Sequence, residues 1–217
     1  MKRLFLTSSF SSVAELFEDF TGEPVKGKKL AFIPTASLVE EVRFYVDDDR
    51  KAFEKLGLII EELEVSTATT EEIATTLERN DYIFISGGNT FYLMQELKKK
   101  GADKLLIEQI NNGKLYIGTS AGSVIACPTV EFVSDIDEPK KAPELTDYSG
   151  LHLVDFYVLP HYLNFPFTGS PAKSSNNFAT ELNDEVKNNL FICVNYPNFF
   201  ASSKTSVFIS LPKTVIT

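Results

Sequence analysis

The residues best suited to chemistry lie near the middle of the chain, where Gly118-Thr119-Ser120-Ala121-Gly122 places a serine between two glycines. A serine hydroxyl becomes a nucleophile when a sharp turn between a strand and a helix holds it beside a base. The apolar stretch "KLYIG" before the serine is typical of a buried strand, and "SVIAC" after it predicts the start of a helix. This order favours Ser120 as a nucleophile over a serine in an ordinary tight turn.

The chain contains two histidines that could serve as the base. His161 follows the apolar segment "LVDFYVLP", and the ends of parallel strands are where sites in α/β proteins gather. His152 lies inside "LHLVDF", which indicates an exposed or structural strand residue. We therefore expect His161 to accept the proton of Ser120.

A third group must orient the histidine, and here the residues alone leave several candidates open. An acid between the serine and the histidine would give the chain order serine, acid, histidine, one of the orders in which catalytic triads occur. Five carboxylates lie in that interval: Asp135, Asp137, Glu138, Asp147 and Asp155.

A second glycine turn, in "FISGGNTFYL", follows a predicted strand and opens a predicted helix. The turn lacks the lysine of a phosphate-binding loop and the third glycine of a dinucleotide fingerprint, so neither ligand is favoured. If its strand neighbours the strand before Ser120, the backbone N–H groups of Gly88 and Ala121 would form an oxyanion hole.

The elements that must position these residues alternate between strands and helices. Strand patterns occur in "RLFLTS", "KKLAFI", "LIIEELEV", "DYIFI" and "KLYIG". Amphipathic helices are predicted between them, the first two in "SVAELFEDF" and "VEEVRFYVDDDRKAFEKLG". This alternation predicts an α/β fold, a three-layer sandwich around a mostly parallel sheet. We expect one domain over residues 1–217, with the element order in the tail 167–217 left open between a helix in "ELNDEVKNN" and strands in "LFICVNY" and "TSVFISL".

Composition narrows the function classes. The net charge of −9 disfavours a nucleic-acid surface, and no apolar run is long enough to span a membrane. Two cysteines without a CxxC motif are typical of a reducing, cytoplasmic setting, and two histidines make a zinc site improbable. We expect no metal and no cofactor, a short peptide as the partner, and a monomer or homodimer.

Three segments, "FISGGNTFYLMQELKKKG", "GKLYIGTSAGSVIACPTVEFVSDI" and "YVLPHYLNF", resemble peptidase E, the aspartyl dipeptidase family that also includes cyanophycinase. The resemblance extends over residues 28–166. It implies a fold similar to class I glutamine amidotransferases and a serine exopeptidase that hydrolyses short peptides. On the matching positions, Ser120 is the nucleophile, His161 the base and Asp135 the acid, with Gly88 and Ala121 as oxyanion donors.

The chain departs from that family in its cations. Members that cleave after an amino-terminal aspartate carry arginines beyond the histidine, whereas the last arginine here is Arg79. We therefore expect weak or absent preference for amino-terminal aspartate, unless an arginine such as Arg43 serves instead. The alternative functions are an esterase-type serine hydrolase and a non-catalytic module that binds a carboxylate or phosphate at the glycine turn.

Overall fold

A computed structural model describes residues 2–161 in full, and the backbone of three later strands. The main sheet has seven strands in the order β3-β2-β4-β5-β1-β9-β8, and a second sheet pairs β6 with β7. All pairs are parallel except β8 with β9. The strands are β1 (Lys2–Thr7), β2 (Lys29–Ile33), β3 (Ile59–Glu62), β4 (Tyr82–Ile85), β5 (Leu115–Thr119), β6 (Tyr157–Leu159), β7 (Leu190–Ile192), β8 (Pro197–Ala201) and β9 (Thr205–Ser210).

Six α-helices connect or follow these strands in the described part of the chain. Thr69 begins one of them with a capping box, in which its side chain and that of Glu72 satisfy each other's backbone N–H groups. The helices are α1 (Phe17–Thr21), α2 (Phe44–Lys55), α3 (Thr70–Arg79), α4 (Thr90–Lys100), α5 (Ala102–Asn111) and α6 (Ala121–Val124).

The sheet is buried on both faces, which explains why its strands are apolar throughout. On β1, Leu4 and Leu6 pack in one core with residues of α3 to α6, whereas Phe5 packs in another with residues of α1 and α2. The structure therefore confirms the predicted three-layer α/β sandwich.

The register of the central strands determines which residues meet at the carboxyl edge. Ile85 of β4 pairs with Gly118 of β5, and Thr119 of β5 pairs with Thr7 of β1. The residues that follow these pairs emerge side by side from the same edge. The glycine turn after β4, the serine after β5 and the loop after β1 consequently surround one point.

Several predicted boundaries were wrong. The segment "SVAELFEDF" forms a short 3₁₀ helix (Ala14–Leu16) followed by α1, and α2 begins only at Phe44. The strand expected across "LHLVDFYVLP" is confined to β6, in the second sheet. His152 lies in the turn before it with φ of 48°, a conformation that a strand does not allow.

In the tail, β7 and β9 coincide with "LFICVNY" and "TSVFISL", and the sequence did not predict β8. The expected helix in "ELNDEVKNN" lies outside the described residues. Within the described residues, no helix combines the length and the apolar character needed to cross a membrane.

Candidate active site

Ser120 occupies a sharp turn between β5 and α6 and has the positive φ value of 51°. A non-glycine residue in such a conformation is strained by roughly 1–3 kcal/mol, and such strain clusters at functional sites. The Ser120 N–H donates to the carbonyl oxygen of Thr7, 2.9 Å away, so β1 holds the turn from one side. The structure thus places Ser120 on the strand-turn-helix arrangement that the sequence predicts.

The two glycines that flank the serine are required by close approach of the backbone. A Cβ atom at Gly118 would lie 2.5 Å from the carbonyl oxygen of Gly122. A Cβ atom at Gly122 would lie 2.2 Å from the carbonyl oxygen of Ile85. Both distances are too short for any side chain, so the glycines allow α6 to begin directly against β4 and β5.

Ser123 binds the turn around Ser120, here called the elbow (residues 118–122), to the neighbouring strands. Its hydroxyl oxygen accepts the N–H of Thr7 at 2.9 Å and lies 2.8 Å from the carbonyl oxygens of Thr7 and Gly118. The hydroxyl is buried among the backbone groups that it satisfies. The hydroxyl of Ser123 therefore has a structural role. Of the two serines, Ser120 is the one that is partly accessible.

The structure brings His161 to Ser120, with Nε2 of the imidazole 3.0 Å from Oγ of the serine. The backbone N–H of His161 donates to the hydroxyl of Ser8, in the loop after β1, at 3.0 Å. Burial of the ring lowers the pKa of His161 from 6.5 to about 4, because the charged imidazolium is poorly solvated there. The imidazole is therefore neutral at pH 7, as a general base must be.

The predicted oxyanion donors are the N–H groups of Gly88, in the turn after β4, and of Ala121, the first residue of α6. Gly88 follows β4 with φ of 134°, and a Cβ atom there would lie 2.2 Å from the carbonyl oxygen of Ala36. Among the described residues, neither the N–H of Gly88 nor that of Ala121 has an acceptor. Gly87 packs against Ser120, since a Cβ atom on the glycine would lie 3.1 Å from Cβ of Ser120.

The carboxylates between Ser120 and His161 lie in different surroundings. Asp135 is exposed, and within residues 2–161 it makes no hydrogen bond with His161. Asp137 binds the start of α4, and Glu138 pairs with Lys140 and Lys141. Asp147 pairs with Lys98, and Asp155 with the exposed His152.

Sequence reasoning missed two polar residues near the elbow, Ser8 and Asp49. Asp49 of α2 is buried, and its Oδ1 accepts the N–H of Ser11 at 2.9 Å. Burial raises the pKa of Asp49 to about 7, although hydrogen bonding to Ser11 and Thr119 opposes the shift. The position of Ser8 directly after β1 could have indicated its contact, but no sequence pattern marks Asp49 among three consecutive aspartates.

No group of three His, Cys, Asp or Glu side chains in the described part of the chain could hold a metal ion. Cys127 is a buried free thiol whose Sγ accepts the N–H of Val158, and burial raises its pKa to about 12. A thiol held in this protonated state is a poor nucleophile. Cys193 lies outside the described residues.

Comparison with known proteins agrees with this geometry. The model of peptidase family S51 matches residues 4–193. An uncharacterized peptidase of Listeria innocua is 57% identical over 167 residues, which are 77% of this chain and 79% of that protein. Peptidase E of a Nostoc species is 32% identical over 171 residues, which are 75% of this chain and 66% of that protein.

A solved structure shows the same relationship in three dimensions. A 1.5 Å crystal structure from Listeria monocytogenes, provisionally named a peptidase E protein, matches with a TM-score of 0.86 and 47% identity. The match covers 98% of this chain and 100% of the Listeria chain. The chain therefore belongs to peptidase family S51 and is a serine peptidase.

Proposed function

We propose that this serine peptidase is an exopeptidase that hydrolyses short peptides, of the peptidase E type, with Ser120 as nucleophile and His161 as general base. The observation that carries the proposal is the 3.0 Å contact between Ser120 Oγ and His161 Nε2 at a strained elbow. A proton can move along that contact as the hydroxyl oxygen attacks a peptide carbonyl carbon.

The reaction then follows from the positions of the neighbouring groups. Attack by Ser120 turns the carbonyl oxygen into an oxyanion, which the N–H groups of Gly88 and Ala121 would stabilise. The protonated His161 gives its proton to the leaving amine as the C–N bond breaks, which leaves an acyl-enzyme on Ser120. Water, deprotonated by the same imidazole, hydrolyses that ester and restores the serine.

Asp135 is the proposed acid of the triad, on the strength of the motif in which it lies and not of its geometry, since the exposed carboxylate makes no hydrogen bond with His161 within residues 2–161. Its competitor Asp137 is less suited, because both of its carboxylate oxygens already accept hydrogen bonds at the start of α4. An acid in a triad holds the imidazole in one tautomer and stabilises the imidazolium that forms. Substitution of each aspartate separately tests the assignment.

The substrate class is proposed from the positive charges near the site. A buried substrate carboxylate needs a cation, and an arginine binds it best because the guanidinium offers two parallel donors. Every arginine of the chain already binds another group: Arg3 donates to the Thr21 carbonyl, Arg43 to the carbonyls of Leu38 and Glu40, Arg50 to Glu62, and Arg79 to Glu61. We therefore propose short peptides as substrates, with weak or absent preference for an amino-terminal aspartate.

Labelling and a substrate panel test the proposal against its alternatives. A fluorophosphonate probe should modify the wild-type protein and fail to modify Ser120→Ala, whereas a non-catalytic binding module would not react. The rate acceleration over the uncatalysed reaction should be larger for dipeptides than for p-nitrophenyl esters of the same acyl group. Ester hydrolysis without peptide hydrolysis would instead favour the esterase alternative.

A further inference from the structure

Asp137 binds the chain directly after the glycine turn. Its Oδ2 accepts the backbone N–H of Thr90 at 2.6 Å, and its Oδ1 accepts a hydrogen bond from Nδ2 of Asn89 at 2.7 Å. The N–H of Glu138 also donates to Oδ1, at 2.9 Å. The carboxylate thus ties a loop that precedes β6 to the first residues of α4.

Asn89 links this carboxylate to Gly88, its neighbour in the chain. The Asn89 side chain is fully buried, and its Oδ1 accepts the N–H of Tyr92 as the cap of α4. Its backbone N–H donates to the carbonyl oxygen of Ala36 at 2.8 Å. Asn89, the residue after Gly88, is therefore held by these three hydrogen bonds, to Asp137, Tyr92 and Ala36.

Gly88 itself has little freedom to adjust. Its α-carbon faces the backbone of residues 36 and 37 so closely that a Cβ atom would lie 2.2 Å from the Ala36 oxygen. Gly88 is thus held between this contact and Asn89, whose own N–H donates to the same Ala36 oxygen, so a shift of Asn89 would also move Gly88. An oxyanion donor has to point at the place where negative charge develops, and a misplacement of about 1 Å can lower the rate on the order of a hundredfold.

We propose that Asp137 is a positioning residue for the oxyanion hole: through Asn89 and Thr90 it fixes the orientation of the Gly88 N–H. This inference rests on the proposed function, because it takes Gly88 as an oxyanion donor. It gives Asp137 a role different from that of a triad acid. Its carboxylate oxygens accept hydrogen bonds from Asn89, Thr90 and Glu138, on the side of the site where the proposed oxyanion donor Gly88 lies.

Asp137→Asn is the first variant to measure. The amide keeps the shape of the carboxylate but presents one NH₂ group, so either Thr90 N–H or Asn89 Nδ2 loses its acceptor and faces a donor. We expect kcat to fall by about ten- to a hundredfold while KM for the best dipeptide changes less than threefold, because the lost interaction acts only in the transition state.

Asn89→Ser is the second variant and keeps the inference testable should Asp137→Asn fail to fold. Serine still caps α4 but cannot donate an amide N–H to Asp137, whereas the Thr90 contact remains. We expect the same direction of change in kcat with a smaller size. Asp155→Asn is the matched control, since its carboxylate is almost fully exposed, and it should leave both parameters unchanged.

An aminoboronic acid matched to the amino-terminal residue of the substrate provides a readout that fold stability alone would not move. Its tetrahedral adduct on Ser120 places an oxygen in the oxyanion hole, so its Ki should rise by the same factor by which kcat/KM falls. Affinity for the product amino acid should stay constant. An unchanged or higher kcat in Asp137→Asn, or a loss confined to KM, would overturn the inference.

Failure of the proposed function gives a different result. In that case the wild-type protein itself would show no dipeptide hydrolysis that depends on Ser120. If the wild type is active and Ser120-dependent but both variants match it, the function stands and the positioning role of Asp137 is wrong.

Discussion

Ser120 Oγ and His161 Nε2 lie 3.0 Å apart although the two residues belong to loops that follow strands of different sheets. Both have positive φ values, 51° for the serine and 59° for the histidine. A hydrogen bond of the His161 backbone to Ser8 joins the second sheet to the carboxyl edge of the first. The backbones of both residues are thus held in place, which keeps the two side chains within the distance that a proton transfer requires.

The low pKa of His161 predicts an unusual pH profile. Because burial lowers the pKa to about 4, the imidazole stays neutral and able to accept a proton down to that pH. We expect the acid limb of kcat/KM, which reports the free enzyme, to lie near pH 4 and well below 6.5. The rate of fluorophosphonate labelling, which involves no ionising substrate, should follow the same limb. A midpoint at or above pH 6.5 in both measurements would contradict this environment for the ring.

The two aspartates of "SDID" should differ in how they affect the enzyme. Asp135→Asn should lower kcat at least a hundredfold and alter the pH profile, because the loss of a triad acid favours the wrong imidazole tautomer. Asp137→Asn should lower kcat with the acid limb unchanged. Steady-state kinetics of both variants across pH 4–9 provide the test. A silent Asp135→Asn variant would remove Asp135 from the proposed triad.

Asp49 makes the stability of the fold depend on pH. Its pKa rises from 3.8 to about 7 on burial, so between these values the folded protein keeps a proton that the unfolded chain has released. The free energy of unfolding should therefore fall as pH rises through this window, by an upper limit on the order of a few kcal/mol. Asp49→Asn should flatten that dependence.

Urea denaturation at pH 4.5 and pH 8 measures the effect. The stability of Asp49→Asn relative to wild type should be greater at pH 8 than at pH 4.5. Asp48→Asn, which alters a half-exposed neighbour on the same helix, serves as the control. An equal difference at both pH values would mean that Asp49 ionises normally in the fold.

The expected preference at the amino-terminal residue of the substrate depends on the arginines, all of which already bind other groups of the protein. An amino-terminal aspartate would bring a carboxylate into the site without a guanidinium to receive it, and an unpaired buried charge costs several kcal/mol. We expect kcat/KM for Asp-Leu to be no higher than for Ala-Leu or Ser-Leu. A hundredfold advantage for Asp-Leu would show that a cation binds the side chain, with Arg43 the first to substitute because it contacts only carbonyls of its own loop.

Much of the site could be predicted because its residues follow strands in a regular fold. Glycine spacing around Ser120 reflects backbone contacts that no side chain allows, and the parallel register of β4 with β5 brings Gly87, the residue before Gly88, against Ser120. The placement of His161 beside Ser120 could be predicted because the histidine ends an apolar segment, although that segment is a short strand of a second sheet.

Other features depend on contacts between distant loops and leave no local pattern. The sequence does not distinguish Asp135 from Asp137, since the difference between an exposed carboxylate and one bound to Asn89 arises only in the folded chain. The start of α2 at Phe44 was missed because "VEE" continues the helical pattern, while the chain first forms a 3₁₀ helix over Thr35–Val39 against Gly88.

The most direct test of the account is dipeptide hydrolysis by Ser120→Ala and His161→Ala beside the wild type. Because the two side chains act as a unit, each variant should lower kcat by several orders of magnitude, and the double variant should lose little more than either one. Urea midpoints should change only modestly, since neither side chain belongs to the two apolar cores. Near-full activity of either single variant on the best substrate would contradict the central claim that Ser120 attacks the peptide with His161 as its base.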